Sequence, residues 1–183
     1  MKRYAALLRG INISGKNKLS MSELKECLKK SGFDKVITYL NSGNVIFSYA
    51  SESETTLVRK LEELIKDKFA LDIPVFVTDI ESLSDILCNA PDWWGGESKE
   101  LYDNLIFVMP PATAEEISDK IGSPTEKLER IHIYKNTIFW TFDRQNYSKA
   151  NWWKKTASAG IGEMITIRTA NTVRKIVDLG NKS

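Results

Sequence analysis

Between Lys2 and Thr78 the chain runs strand, helix, strand, strand, helix, strand, and between Leu105 and Arg168 the same order returns. The first strand, Lys2 to Arg9, is rich in Tyr, Ala and Leu and ends at Gly10. Ser20 with Glu23 forms a capping box, and Met21, Leu24 and Leu28 recur on one helical face until Gly32. Val36 to Leu40 and Val45 to Phe47 flank the turn Asn41-Ser42-Gly43-Asn44, which predicts a hairpin. Leu57, Val58, Leu61, Leu64 and Ile65 predict a long helix from about Glu54 to Phe69, and Pro74 to Thr78 supplies a fourth strand.

A helix with Ile80, Leu83 and Leu87 and the loop Pro91 to Gly96 then lead into the second round. Its strands are Leu105 to Met109, Leu128 to Tyr134, Thr137 to Phe142 and Met164 to Arg168. Its helices are one capped by Thr113 with Glu116 and one around Ser148 to Ala157. A last helix, Asn171 to Leu179, is expected to stop at Gly180. The fold class is therefore α+β: two tandem ferredoxin-like βαββαβ plaits with antiparallel sheets and a C-terminal helix. The expected domains are 1–79, and 80–183 with the linking helix and the last helix in the second. The repeat is one of element order; no residue-level match joins the halves.

An antiparallel sheet with one wet face alternates apolar and polar residues. Val45-Ile46-Phe47 and Ile138-Phe139-Trp140 do not alternate, so both faces of each sheet need cover. That cover is the other sheet, a second copy of the chain in a homodimer, or a ligand.

Charge is unevenly distributed. Residues 1–35 carry a net +6, residues 36–130 a net −10 and residues 131–183 a net +6, on a chain whose total is only +2. If the two ends lie together they form a basic face suited to an anionic partner. The apolar run from Tyr4 to Leu8 is cut by Arg9, and no stretch reaches the roughly 18 apolar residues of a membrane span, so neither secretion nor membrane insertion is expected. Cys27 and Cys88 lack metal-ligand spacing and read as free thiols of a cytoplasmic protein. His132 is the single histidine, expected at an edge or facing outward, so no structural zinc, metal site, cofactor or His-based triad is expected. Asp92, Glu97 and Asp103 have no spacing that defines a catalytic pair.

Gly10-Ile11-Asn12-Ile13-Ser14-Gly15-Lys16-Asn17 is one residue from a P-loop. Asn17 stands where a Ser or Thr hydroxyl would hold magnesium, and the helix begins only near Ser20, which argues against nucleotide hydrolysis. The loop can still hold an anion through Arg9, Lys16, Lys18 and its backbone amides, or serve only as a turn. Asn41, Ser42 and Asn44 read as turn chemistry or as a polar cluster. In a plait their hairpin is expected at the far end of the sheet from the Gly10–Gly15 loop. The aromatics of the third strands and of Ile106-Phe107-Val108 match an RNA-recognition pattern poorly and are expected in the core. Trp152-Trp153-Lys154-Lys155, with Tyr147 and Lys149, mixes stacking and cationic groups. Two consecutive helical tryptophans point about 100° apart, so at most one fits the core. Trp93-Trp94 reads as a latch between the halves.

Three stretches together resemble one bacterial family: Leu7 to Lys16, Thr38 to Phe47, and Thr166 to Lys175. The family is that of the domain of unknown function 1697, and the resemblance spans nearly the whole chain. In the third stretch the family tends to Arg-Asn-Trp-Asn-Thr where this chain has Arg168-Thr169-Ala170-Asn171-Thr172. The resemblance implies a pair of plait-like α/β domains in a cytoplasmic protein and supplies no reaction.

The reading that joins these features is a binding protein for a nucleic acid, nucleotide or phosphorylated ligand. Its site would combine Arg9, Gly10, Asn12, Gly15, Lys16 and Lys18 with Arg168, Asn171, Arg174 and Lys175, and Asn41, Ser42 and Asn44 as further candidates. The alternatives are an enzyme acting on a phosphorylated small molecule, and a dimerising assembly module.

Overall fold

The computed structural model describes residues 1–158 and 160–182. Two compact units emerge: Met1–Asp85 with the chain end from Lys175, and Ile86–Arg174. The first contains β1 (Lys2–Leu8), α1 (Met21–Lys30), β2 (Asp34–Tyr39), β3 (Asn44–Tyr49), α2 (Glu54–Phe69), β4 (Val75–Asp79) and most of α3 (Ile80–Cys88). The second contains β5 (Leu101–Val108), α4 (Ala114–Ile121), β6 (Glu129–Tyr134), β7 (Thr137–Asp143), a 3₁₀ turn at Tyr147–Lys149, α5 (Asn151–Thr156) and β8 (Ile165–Thr169). The closing helix, α6 (Ala170–Asn181), follows β8 directly.

Each unit forms a four-stranded antiparallel sheet, in the order β2-β3-β1-β4 and β6-β7-β5-β8. Equivalent strands thus take equivalent places, which is what the doubled element order predicted. In the first unit Tyr4, Ala6 and Leu8 of β1 and Val45 and Phe47 of β3 meet Leu24 and Leu28 of α1 and Leu57, Leu61 and Ile65 of α2 in one core. In the second, Ile106, Val108, Ile138 and Trp140 meet Ile117 and Ile121 of α4 and Trp152 of α5. The alternate residues Ala5, Leu7, Ile46, Leu105, Phe107 and Phe139 are fully buried as well.

The chain divides after Asp85, and its end from Lys175 groups with the first unit. Gly180 gives the physical reason: it lies inside α6, and a Cβ built there would come within 2.6–2.9 Å of the Ile80 side chain. This glycine permits a close approach of helix to side chain; it does not end the helix as expected. Smaller corrections concern strand limits: β5 begins at Leu101, four residues earlier than read, because Tyr102 and Asp103 continue the ladder opposite Phe142 and Thr141.

Asp79 closes β4 and opens α3. Its carboxylate accepts from the Ser82 backbone N–H (2.8 Å) and hydroxyl (2.9 Å) and pairs with Lys2 (3.1 Å). Burial pushes the carboxyl up, but the Ser82 donors and the Lys2 ammonium outweigh it and hold it below its ordinary value. A depressed folded pKa stabilises the protein above the unfolded value, about 3.9, and that stabilisation is lost as pH falls through the folded value. Asp79→Ala should therefore cost about 1–2 kcal/mol at pH 7 as a lost helix cap. In thermal melts from pH 7 to pH 2, the gap between variant and wild type should close below about pH 4; a constant gap would remove the charge from the explanation.

Candidate functional site

Antiparallel pairing places the end of one strand beside the start of its neighbour. Leu7 pairs with Asn44, so the loop that leaves β1 lies next to the β2–β3 turn. Leu8 N–H donates to the Gly43 carbonyl (2.8 Å), and the Asn12 amide donates to the Asn41 carbonyl (2.9 Å). The expectation that this hairpin lies at the far end of the sheet is thus corrected, and two of the three stretches that carry the family resemblance meet within the first unit.

The loop is locally strained. Asn12, Ser14 and Asn17 join Gly10 and Gly15 at positive φ, between 47° and 77°, a conformation costly for residues with a Cβ. Side chains compensate from within. Asn12 donates to Leu19 O (3.0 Å) and accepts from Leu19 N–H (2.9 Å), and Asn17 donates to Gly10 O (3.0 Å). Asn44, fully buried, donates to Tyr39 O (2.8 Å) and Ser42 Oγ (3.2 Å). The amides expected to orient a ligand are engaged in holding loop and hairpin together. Arg9 is half-buried; Ser14, Lys16, Lys18, Asn41 and Ser42 are exposed, beside the large apolar side chains of Ile13 and Leu40. The loop does not run into a helix as a P-loop does: Ser20 accepts from Glu23 N–H and caps α1 from within.

The C-terminal candidates divide. Arg168, on edge strand β8, is buried and donates to Thr166 Oγ1 (2.9 Å) and Ile167 O (2.8 Å); desolvation lowers its guanidinium to about 10. Lys175 pairs with Asp178 (3.1 Å) and belongs to the first unit. Asn171 and Arg174 remain, exposed and one turn apart on α6, whose first turn is held by the Thr169 hydroxyl accepting from Thr172 N–H.

Asn171 and Arg174 open onto a cleft of about 490 Å³ within the second unit, which Lys99, Tyr102, Asp103, Arg144 and Ala170 also line. Trp94 is 4% exposed: its ring packs against Phe139 (4.9 Å), and its indole N–H donates to Asn104 O (2.7 Å). Arg174 lies over that ring at 5.7 Å. Gly95 makes this possible, since a Cβ there would collide with the guanidinium. Arg144 stands over the Tyr102 ring at 5.1 Å. Among the described residues Lys99, Arg144 and Arg174 form no ion pair. Asp103 Oδ1 is shut off from solvent and unpartnered, as is the hydroxyl of Thr141, the residue opposite it across β5 and β7.

Sequence reasoning missed Lys99, Tyr102 and Arg144. A usable signal was present, because residues 144–158 hold Arg144, Lys149, Lys154 and Lys155 and no carboxylate. Of the tandem tryptophans, Trp152 is fully buried and donates to Gly122 O (2.9 Å), while Trp153 is 41% exposed against Tyr147 (4.8 Å) and Phe142 (5.2 Å). That split is the one the 100° spacing required. The aromatics Phe107, Phe139 and Phe142 are core residues, and His132 is exposed on edge strand β6, both as expected. Among the described residues no group of three His, Cys, Asp or Glu could hold a metal ion, and no helix is long and apolar enough to cross a membrane.

No curated protein matches the chain. Among solved structures, the conserved bacterial protein SP0830 from Streptococcus pneumoniae is similar at 32% identity, over 97% of this chain and 98% of that one, with a TM-score of 0.84. A family model described as a protein of unknown function, DUF1697, matches residues 1–139 and so takes in both motifs that meet beside β1. By that match, and by a likeness in fold that extends over nearly its whole length, the chain belongs to the DUF1697 family.

Proposed function

We propose that the protein binds a phosphate-bearing ligand, and that the cleft of the second unit is where it does so. The observation that carries this reading is the convergence of Lys99, Arg144 and Arg174, none of them in an ion pair among the described residues, on one concavity whose lining has only two carboxylates, Glu97 and Asp103, against these three cations. Guanidinium groups present forked donors that match phosphate oxygens, and a recess raises the field above that of an open surface. Asn171, one turn before Arg174, adds an uncharged donor and acceptor. This reading stands ahead of a dimerising module because the apolar sheet faces that suggested a dimer are buried within the chain. It stands ahead of an enzyme because no paired acid and base line the cleft in an arrangement that defines a reaction.

The strand order of each sheet, with a helix after its first and third strands in chain order, supports reading each unit as a ferredoxin-like plait. Two free cysteines support a reducing, cytoplasmic setting.

A native-state ligand raises the melting temperature by mass action. Inorganic pyrophosphate and ATP, each with and without magnesium, should both shift the melt upward. Arg174→Ala should weaken that binding about tenfold or more, the effect of one charged hydrogen bond, with Lys16→Ala leaving it unchanged. Absence of any shift would sink the proposal, and sensitivity to Lys16 instead of Arg174 would move the site to the loop of the first unit.

A further inference from the structure

One feature beside the cleft is unnecessary for holding a bare phosphate: a run of aromatic contacts that leads from Tyr102, in its lining, to the surface. Tyr102, under Arg144, touches Phe142 (5.4 Å); Phe142 touches Trp153 (5.2 Å); Trp153 touches Tyr147 (4.8 Å). The run ends in two large exposed rings, Trp153 at 41% and Tyr147 at 43%, with exposed Lys149 and Lys154 beside them in sequence. Both rings keep accessible surface on which a planar group can stack.

From these we infer that the second unit binds single-stranded nucleic acid. Bases stack on the Trp153–Tyr147 shelf, and backbone phosphates meet Arg144, Arg174 and Lys99 in the cleft. This rests on the phosphate-binding reading and names its ligand. Stacking platforms joined to cationic grooves are the general means of holding single strands, because every base has a π face and every linkage a charge. Duplexes lack the free faces that the shelf needs.

The test is fluorescence anisotropy of the full chain with labelled ten-nucleotide oligo-U and oligo-dT and with a ten-base-pair duplex. Both single strands should bind, the duplex at least about tenfold more weakly, and the affinity should fall with salt at a log–log slope of about −2 for three neutralised phosphates. Trp153→Ala should weaken the single strands about five- to a hundredfold, and Trp153→Phe should restore most of that. Neither variant should change the pyrophosphate melt shift, and Trp153→Phe, which keeps a ring against Phe142 and Tyr147, should melt near wild type. If pyrophosphate still shifts the melt through Arg174 while the single strands fail to bind, bind no better than duplex, or ignore Trp153→Ala, the nucleic-acid inference is overturned and the phosphate reading stands. If pyrophosphate, ATP and the oligonucleotides all fail, both fall.

Discussion

Replacing Glu129 by alanine should destabilise the second unit by about 3 kcal/mol. Glu129 is 5% exposed, and its carboxylate accepts from the backbone N–H groups of Trp152 (3.0 and 3.2 Å), Trp153 (3.2 Å) and Thr125 (3.0 Å). The residue before α5 is Ala150, which has no side chain able to cap, so a carboxylate from β6 does that work. A negative charge at a helix N-terminus is favoured twice, by orphan donors and by the helix dipole. Removing it leaves three N–H groups without their acceptor in a dry setting, at about 1–3 kcal/mol for each that finds no water. Denaturation followed by tryptophan fluorescence should show a midpoint lower by about 6–12 °C, and Glu129→Gln should recover part of it by restoring one oxygen. Because α5 carries Trp153 and Lys154, the same variant should weaken oligonucleotide binding. A loss below about 1 kcal/mol would mean that the helix finds other acceptors.

Gly43→Ala should cost about 2–4 kcal/mol in the first unit. Gly43 has φ +84°, and a Cβ there would lie 2.7 Å from Leu8 Cβ and 2.8 Å from Ile11 Cδ1. The left-handed backbone accounts for about 1–2 kcal/mol of the loss, and overpacking against β1 accounts for the rest. Gly15→Ala is the internal control: it shares a positive φ of +77° but meets nothing within 4 Å, so it should carry only the torsional cost. Equal losses in chemical denaturation would deny that the β2–β3 turn and the loop after β1 are pressed together.

Helix caps were legible because they are local. Thr113 and Glu116 exchange both bonds of a capping box, and Ser20 accepts from Glu23 N–H, the Ser20 half of the box expected there. The bounds of α2 match the apolar spacing for the same reason, since a 3.6-residue period is written within one segment. The cleft was half legible. Asn171 and Arg174 stood out in a motif, whereas Lys99, Tyr102 and Arg144 come from a loop, the start of β5 and the end of β7, which converge only when the sheet forms. Arg168 misled for the opposite reason: an arginine in a basic segment reads as a surface arm, and the alternation of β8 turned it inward.

The sequence by itself determined the doubled order of strands and helices, the caps that start those helices, and the tryptophan that had to stay outside, because each is set by the periodicity and hydrogen-bonding capacity of residues close along the chain. Only the tertiary structure decided that the two family motifs touch, that Glu129 caps a helix more than twenty residues away, that Gly180 packs where it was expected to terminate, and that three cations share one cleft. Those outcomes depend on which strands pair and in which direction, a choice made by burying apolar surface between segments far apart in sequence, and no local pattern encodes it.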